Sequence, residues 1–287
     1  MPPVKRKRPP PTPIEIANQK SDEDFIKEYL QPTSSSWTWF THPKTQTRYT
    51  ICLIGAPRMS REDLKQCYDL IEHTSRQDYE RAAAGWKPGR KMREMKSVEL
   101  RYLLVLEGGG AGQKGKCGCA SEGKDEDGQV SERAGGGAES GGGGEGKGGP
   151  RDGNGIEEED AGRKAGQVAG FSSMMPTYED GRPVLYCYEI HLGDSLLGAG
   201  LGRTLISHLL TIAANIPSVQ KLMLSCFLSN ARGLAFYRKI GFEEDPYTPG
   251  PRLLRGGKTL EPDYVILKRD VEVGKVEGSE KEDGKGE

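Results

Sequence analysis

The sequence is poor in apolar residues and has no long hydrophobic run. Of its 287 residues, 34% are hydrophobic and 7% are aromatic, which is too little for the whole chain to pack into a core. No apolar run approaches the roughly 20 residues that a membrane-spanning helix needs, and no signal peptide opens the chain. We therefore expect an intracellular protein that does not bind membranes.

Net charge is almost absent. Lys and Arg number 41 against 42 Asp and Glu, which gives a formal charge of −1. This balance creates no overall field for nucleic acid, so strong nucleic-acid binding is not expected. The basic run Lys5–Arg8 is equally compatible with a nuclear import signal and with a solvated tail. As a nucleic-acid tether it would give only a weak, salt-dependent contact.

The six cysteines follow no disulfide-framework spacing, which fits a reducing compartment. Cys117 and Cys119 have no second Cys or His pair nearby. They are interpreted as part of a linker, and no metal site is predicted.

Glycine, by contrast, is abundant, with 40 residues. Residues 107–165 consist mainly of Gly, Glu, Lys, Ser and Asp, a composition that predicts a disordered insertion. Disordered tails are predicted at 1–13, which is basic and proline-rich, and at 270–287. One folded domain is therefore expected from two halves, 14–106 and 166–269, with the insertion at a hairpin tip.

Hydrophobic periodicity predicts the elements of both halves. Strands are expected at 49–54, 100–106, 168–175, 184–192, 221–227 and 264–267, and helices at 14–30, 60–80, 201–213 and 230–241. Gly198, Gly200 and Gly202 separate a strand from a helix, where free backbone N–H groups can bind phosphate oxygens. Glycines also serve as ordinary strand-to-helix punctuation, so the turn alone leaves both interpretations open.

The stretch from residue 184 to residue 242 resembles the GCN5-related N-acetyltransferase (GNAT) superfamily. The resemblance rests on the glycine turn and on a following helix motif formed by Asn230, Gly233, Phe236, Tyr237, Gly241 and Phe242. Within the superfamily, residues 85–87, 90–95, 185–189 and 263–267 are most similar to NatD-type N-alpha-acetyltransferases. The similarity covers most of 60–107 and 166–269.

The resemblance implies an α/β (α+β) GNAT fold, a mixed central sheet flanked by helices, with acetyl-CoA as co-substrate. It places the acetyl carbonyl beside the backbone of 189–192 and the pyrophosphate on the N–H groups of 198–202. The implied cofactor-binding residues are Ile190, His191, Leu192, Leu197, Gly198, Ala199, Gly200, Leu201, Gly202, Arg203, Asn230 and Tyr237.

Acetyl transfer needs a neutral amine and an acid for the leaving thiolate. By resemblance, Tyr237 offers its phenol to the sulfur. Glu189, on the strand beside the acetyl group, is the first candidate for the base, acting through a water. By resemblance, Tyr79, Tyr188 and Tyr264 help to hold or deprotonate the substrate terminus, and Tyr79 and Tyr188 complete the predicted catalytic residues. Tyr237 could instead be a core aromatic and Glu189 a polar partner on a half-exposed face, while His191 is a second base candidate. Cys187 is interpreted as an inert packing group.

The implied substrate is a histone N-terminal tail that begins Ser-Gly-Arg-Gly. An α-amino group costs about 3–4 kcal/mol less to neutralise near pH 7.4 than a lysine does, so a mild base suffices. Substrate contacts are predicted at Tyr79, Glu179, Tyr186, Tyr188 and Tyr264, with Asp180, Glu243, Glu244 and Asp245 adding negative charge. The protein is expected in nucleus and cytoplasm, without an auxiliary subunit.

Three residues depart from the family pattern. Leu197 stands where the superfamily has Gln or Arg, Ala84 replaces a pocket aromatic, and Thr177 replaces an acid. These changes leave alternatives open: a lysine or polyamine acetyltransferase of the same fold, or a non-catalytic binding module.

Overall fold

The computed structural model describes residues 9–31, 37–107 and 166–271. Lys5–Arg8, Cys117, Cys119 and nearly all of the predicted insertion and C-terminal tail lie outside these ranges. The helices are α1 (Pro13–Gln19), α2 (Asp22–Phe25), α3 (Arg61–Arg81), α4 (Pro88–Met95), α5 (Leu201–Asn215) and α6 (Ala231–Lys239). The strands are β1 (Trp39–Thr41), β2 (Arg48–Gly55), β3 (Arg101–Glu107), β4 (Gln167–Glu179), β5 (Arg182–Leu192), β6 (Lys221–Phe227), β7 (Glu243–Glu244), β8 (Arg252–Leu253), β9 (Thr259–Leu260) and β10 (Tyr264–Asp270).

One 8-stranded sheet organises the described residues, in the order β1-β2-β3-β4-β5-β6-β10-β7. Neighbouring strands run antiparallel except for β5 and β6. These two are parallel because α5 returns the chain to the end of the sheet at which β5 began. The predicted α/β fold with a mixed central sheet is thereby confirmed. No helix among the described residues is long and apolar enough to cross a membrane.

The predicted hairpin on either side of the insertion is present. β3 and β4 pair antiparallel from Arg101–Met174 to Glu107–Gln167, so the chain leaves and re-enters the sheet at adjacent positions. The next hairpin, β4–β5, turns at Asp180 and Gly181, whose φ angles are 49° and 74°. Two successive positive φ values define the tight turn that suits the right-handed twist of paired strands.

Apolar side chains form a layer on each face of the sheet. One layer packs the N-terminal helices and α5 against the strands and includes Phe25, Leu205 and Leu209, all fully buried. The other packs α3 and α4 through Cys67, Ile71 and Met95. The apolar positions that predicted α3 and α5 are therefore the positions that these two helices bury.

The helix predicted at 14–30 is interrupted. α1 ends at Gln19, Ser21 caps α2, and residues 26–30 form a π-helical turn. The break occurs because Ser21 accepts a hydrogen bond from the N–H of Asp24, which starts a new helix. The predicted packing of Phe25, Ile26 and Tyr29 against the domain is confirmed, since all are buried.

Several elements were not predicted. The periodicity of β1, β8 and β9 is too short to detect, because each spans two or three residues. α4 was noted only as a basic run, although Pro88 at its first turn is a helix-start signal.

A buried carboxylate fastens the N-terminal segment to the sheet. Asp22 is 6% exposed and accepts hydrogen bonds from the Gly55 N–H at 2.9 Å and from Arg58 at 3.3 Å. Its other oxygen lies 3.7 Å from Nε of buried Arg101, which also donates to the backbone oxygen of Lys20.

Replacing Asp22 with alanine should lower the free energy of unfolding by about 3–4 kcal/mol, because Arg101 would remain buried without its carboxylate. Urea denaturation of D22A measures this loss. Lys27→Ala changes an exposed residue of the same segment and is the matched control. A loss below about 1 kcal/mol for D22A would show that the buried pair does not hold the segment.

Candidate active site

Two parallel strands separate at the centre of the sheet. Pairing of β5 with β6 joins Leu185–Cys187 to Leu222–Leu224, and beyond Cys187 no pair between the two strands is formed in the described residues. β6 continues to Phe227 alongside β10, and β5 continues to Leu192 alongside β4. The backbone groups of residues 188–192 that point away from β4 are therefore open to a ligand.

A β-bulge lies where the strands part. Ser173 of β4 pairs with Glu189 and Met174 with Cys187, which leaves Tyr188 as the extra residue on β5. The strict alternation predicted for 184–192 is therefore wrong. Tyr188 and Glu189 both face α3 and α4, whereas Ile190 joins Cys187 on the opposite layer.

The glycine turn begins α5, as predicted. Gly200 is its N-cap with a φ of 95°, a conformation that a side chain disfavours, and no side chain caps the helix. The first N–H groups of α5 are thus left for another acceptor, and Gly198, Gly200 and Gly202 line the adjoining cavity. The N–H groups of Leu197 and Ala199, by contrast, donate to Asp194 and Leu196.

A single cavity of about 1040 Å³ runs from this helix start along the divergent strands. Among the predicted site residues it is lined by Tyr79, Tyr186, Tyr188, Glu189, Ile190, His191, Leu192, Leu197, Gly198, Gly200, Gly202, Arg203, Asn230, Tyr237 and Tyr264. Ala199 and Glu179 are not in its wall, and Leu201 is fully buried in the core. The cavity therefore brings most of the predicted cofactor, catalytic and substrate residues together.

Glu189 lies at the centre of a dense hydrogen-bond network, with 10% of its side chain exposed. Its Oε1 accepts from Lys91 Nζ at 2.7 Å and from the Tyr79 hydroxyl at 3.2 Å. Its Oε2 lies 2.6 Å from Nε2 of His191. Burial would raise the pKa of Glu189, but His191 and Lys91 outweigh it and lower this pKa to about 2.

His191 is held at both ring nitrogens. Nδ1 lies 2.6 Å from the hydroxyl of Thr74, which also donates to the backbone oxygen of Leu70 at 2.7 Å. The imidazole ring is thereby fixed between Thr74 of α3 and Glu189 of β5.

Lys91 is the main functional residue that the sequence analysis missed. It is 7% exposed, donates to Glu94 at 2.6 Å as well as to Glu189, and lies 5.0 Å from the centre of the Tyr79 ring. Although burial opposes it, the carboxylates raise the pKa of Lys91 and keep the ammonium charged. The available signal was a lysine inside the basic run of α4, which gives no sign that this one points inward.

Tyr237 closes the opposite wall of the cavity. It is 9% exposed, and its ring packs against Phe236 and Phe242 at 5.2 and 5.7 Å. Within the described residues no protein group hydrogen-bonds its hydroxyl. Burial raises the pKa of Tyr237 well above its usual value, so the phenol stays protonated at neutral pH. A free phenolic proton beside the cavity can serve as an acid.

Tyr188, at the other end of the cavity, lies within reach of three carboxylates. After burial, the charges of Glu179, Glu94 and Glu99 raise the pKa of Tyr188. The other predicted acids do not contribute in this way. Glu243 pairs with Lys268, and Asp245 is buried against Lys221 at 2.7 Å.

Two contacts connect the loops above the cavity. Ser229 donates to Asp78 at 2.6 Å, and the Ala83 N–H donates to Asp263 at 2.7 Å. Beneath them Tyr79 packs edge-on against Phe227 at 4.8 Å. Cys187 lines the cavity below Glu189, but burial raises the pKa of its thiol and keeps it protonated, as expected for a packing group.

A family model matches part of the chain. Residues 152–242 match the model of the acetyltransferase (GNAT) family. This match, over about a third of the chain, supports the predicted resemblance to the GNAT acetyltransferase superfamily and the predicted class of acetyl-CoA-dependent acyltransferase.

One curated relative is more specific. N-alpha-acetyltransferase 40 of Saccharomyces cerevisiae is 30% identical over 103 residues, which is 30% of this chain and 36% of that protein. The match thus spans about a third of the relative's length.

Solved structures give weaker likenesses. Arabidopsis thaliana NAA60 with a bisubstrate analogue aligns with 78% of this chain and 100% of its own, at 10% identity and a TM-score of 0.43. The ribosomal-protein-S18-alanine N-acetyltransferase of Escherichia coli aligns over 77% and 94%, at 15% identity and 0.38. Spermidine N-acetyltransferase of Vibrio cholerae aligns over 77% and 95%, at 12% identity and 0.40. Likeness at this level does not discriminate between substrates.

Replacing Glu189 with glutamine should destabilise the protein in a pH-dependent way. The pKa of Glu189 falls from 4.5 to about 2 on folding, so its stabilising effect is complete above about pH 4.5 and is lost as the pH falls towards 2. Urea denaturation should show that the free energy of unfolding of E189Q is about 2–4 kcal/mol lower than that of the wild type at pH 7. This difference should become smaller below about pH 4.5.

Glu80→Gln on the exposed face of α3 is the control and should change little. A stability difference for E189Q that stays constant from pH 7 down to about pH 2.5 would contradict the depressed pKa.

Proposed function

We propose that the protein is an N-alpha-acetyltransferase that moves an acetyl group from acetyl-CoA to the free N-terminal amine of histone-type tails beginning Ser-Gly-Arg-Gly. The observation that carries this proposal is the continuous cavity from the open start of α5 to Glu189 and Tyr264. Such a cavity joins an anion-binding end to a carboxylate-rich end. It suits a phosphorylated donor on one side and a cationic acceptor on the other.

The donor would occupy the end formed by α5. A pyrophosphate there would accept from the N–H groups at the start of α5, where the helix dipole favours negative charge. Arg203 lines the same end and can pair with a phosphate. Leu197, which is 40% exposed, supplies no polar side chain here, so the backbone donors would bear most of this contact.

Acetyl-CoA would then extend between β5 and β6. With the thioester beside residues 188–192, an unpaired strand N–H can polarise the acetyl carbonyl. The neutral amine attacks the carbonyl carbon, a C–N bond forms and the C–S bond breaks. The thiolate takes a proton from Tyr237, the nitrogen that has joined the carbonyl carbon loses its second proton to water, and a proton from water restores the phenol. Together with the proton that the substrate ammonium gave up before the attack, one proton is released to solvent for each acetyl group transferred.

Glu189 is a poor direct base in this arrangement. Its low pKa and its three donors hold it as an anion, so it would order a water or the incoming ammonium and leave proton acceptance to water. This suits an α-amine, whose pKa of about 7.7–8.0 leaves a useful neutral fraction near pH 7.4, better than lysine at about 10.4.

The acceptor end supports a basic tail. The negative field of Glu94, Glu99 and Glu179 around Tyr188 attracts cationic residues. The relative from Saccharomyces cerevisiae is described as an N-alpha-acetyltransferase. A histone tail is therefore favoured as substrate. Nuclear and cytoplasmic localisation, and activity without an auxiliary subunit, remain predictions.

The same carboxylates would also attract a polyamine or a lysine side chain, which is the second candidate. A Ser-Gly-Arg-Gly-Lys peptide with a free amine should be acetylated once, at the N-terminus, whereas the same peptide with a formylated N-terminus should not react. Mass spectrometry with fragment assignment gives the position. Acetylation of the formylated peptide, or faster turnover of spermidine, would overturn the proposal in favour of the second candidate.

Replacing Tyr237 with phenylalanine should lower kcat about 10–100-fold with little change in KM, because the phenol is needed only as the thiolate leaves. Steady-state kinetics with the peptide measures the effect. Since the ring stays in place, the melting temperature should not change. Full activity in Y237F would show that Tyr237 is only an aromatic residue of the core.

A further inference from the structure

We propose that Lys91 is an electrostatic positioning residue: its buried ammonium offsets part of the negative charge of Glu189 and Glu94, so that a bound amine loses its proton more readily. This proposal rests on the proposed function and adds a residue that the family motif does not include. Lys91 reaches both carboxylates at 2.7 and 2.6 Å and lines the same cavity.

Without this cation, Glu94 would lose its ammonium partner, and Glu189 would keep only its contacts with Tyr79 and His191. An opposite charge within about 4–6 Å stabilises an ammonium and raises its pKa. The substrate would be held as a non-nucleophilic ammonium ion. A site built only from carboxylates would therefore bind its substrate well and react slowly.

Lys91 is placed to prevent this. Its stem is buried with α4, and its ammonium lies over the ring of Tyr79, which itself donates to Glu189. The position is therefore fixed from α3, α4 and β5 together. A fixed cation near a second amine lowers the pKa of that amine, as for paired lysines in enzymes that need a neutral amine.

The net charge around Lys91 depends on the titratable groups that face it. The groups that face Lys91 are Tyr79 of α3, Glu94 of α4, Tyr102 of β3 and Glu189 of β5, with His191 behind Glu189. Burial raises the pKa of both tyrosines, so neither carries charge at neutral pH. The charged groups that face Lys91 are therefore the carboxylates of Glu94 and Glu189.

The reaction balances without a dedicated base. The substrate ammonium releases one proton to solvent, the neutral amine forms the C–N bond, and the C–S bond breaks to give the thiol of coenzyme A. The net change is one proton released per acetyl transferred. Lys91 takes no proton in this sequence. Its effect is on the fraction of bound amine that is neutral.

The test is the pH dependence of the single-turnover rate with saturating acetyl-CoA and free-amine peptide, which reports pKa values of the bound complex. In Lys91→Gln the acidic limb should move to higher pH by about one unit, from one unit charge several ångströms away. Lys91→Arg should keep the limb near its wild-type position. Lys96→Gln, an exposed lysine that follows α4, is the matched control and should leave the profile unchanged.

Glu94→Gln provides the opposite test and does not remove the buried cation. Loss of a carboxylate should move the same limb to lower pH, again by up to about one unit. This variant decides the matter if K91Q does not fold. Limbs that stay at the wild-type pH in folded K91Q or in E94Q, with only KM changed, would overturn the role of Lys91.

The number of protons released when the peptide binds is a second measure of the protonation of the bound amine, and it needs no turnover. Calorimetry at pH 7 in two buffers of different ionisation enthalpy should show most of one proton released by the wild type and clearly less by K91Q. Equal release would contradict the proposal. A wild type that neither binds nor acetylates the peptide would refute the proposed function, whereas an active wild type with unshifted variants refutes the Lys91 inference alone.

Discussion

The site depends on the point at which β5 and β6 part. Three residue pairs hold the two strands together, and the bulge at Tyr188 then turns β5 away while β6 stays with β10. Backbone groups left without a partner are costly when buried, so such a gap persists only where something else satisfies them. In this fold the gap opens onto the cavity that also receives the uncapped start of α5. One backbone feature thus fixes both the donor and the acceptor ends of the site.

A second constraint is electrostatic. Burying a carboxylate as deeply as Glu189 is unfavourable unless donors surround it. Lys91, His191 and Tyr79 supply them from three different elements, and His191 and Lys91 lower the pKa of Glu189 to about 2. A carboxylate held in this way is suited to orienting other groups. We therefore propose that Glu189 anchors the reacting groups, in place of the base that its strand position suggested.

Much of the architecture could be predicted because periodicity and punctuation act locally. The bounds of β6 were predicted to the residue, and α5 begins at Leu201 as its glycines indicated. Tyr237 and His191 were placed in the site by motif and by strand position. A bulge, however, leaves no mark in the residue pattern of 184–192, so the change of face at Glu189 could not be predicted.

Contacts between residues far apart in the sequence could not be predicted either. Lys91 lies 98 positions from Glu189, and Asp245 contacts Lys221, which lies 24 positions away. Nothing in the local sequence distinguishes a buried lysine of α4 from its exposed neighbours, or a buried aspartate from the glutamates before it. Such contacts follow from how the elements pack, which composition and spacing do not encode.

The central claim is that the gap between β5 and β6 holds a coenzyme thioester. A crystal structure of the protein with coenzyme A and a Ser-Gly-Arg-Gly peptide tests this most directly. The account predicts the pyrophosphate on the N–H groups that begin α5, the sulfur between the two strands near Tyr237, and the peptide amine beside Glu189. A coenzyme bound elsewhere, with the gap closed or filled by side chains, would contradict it.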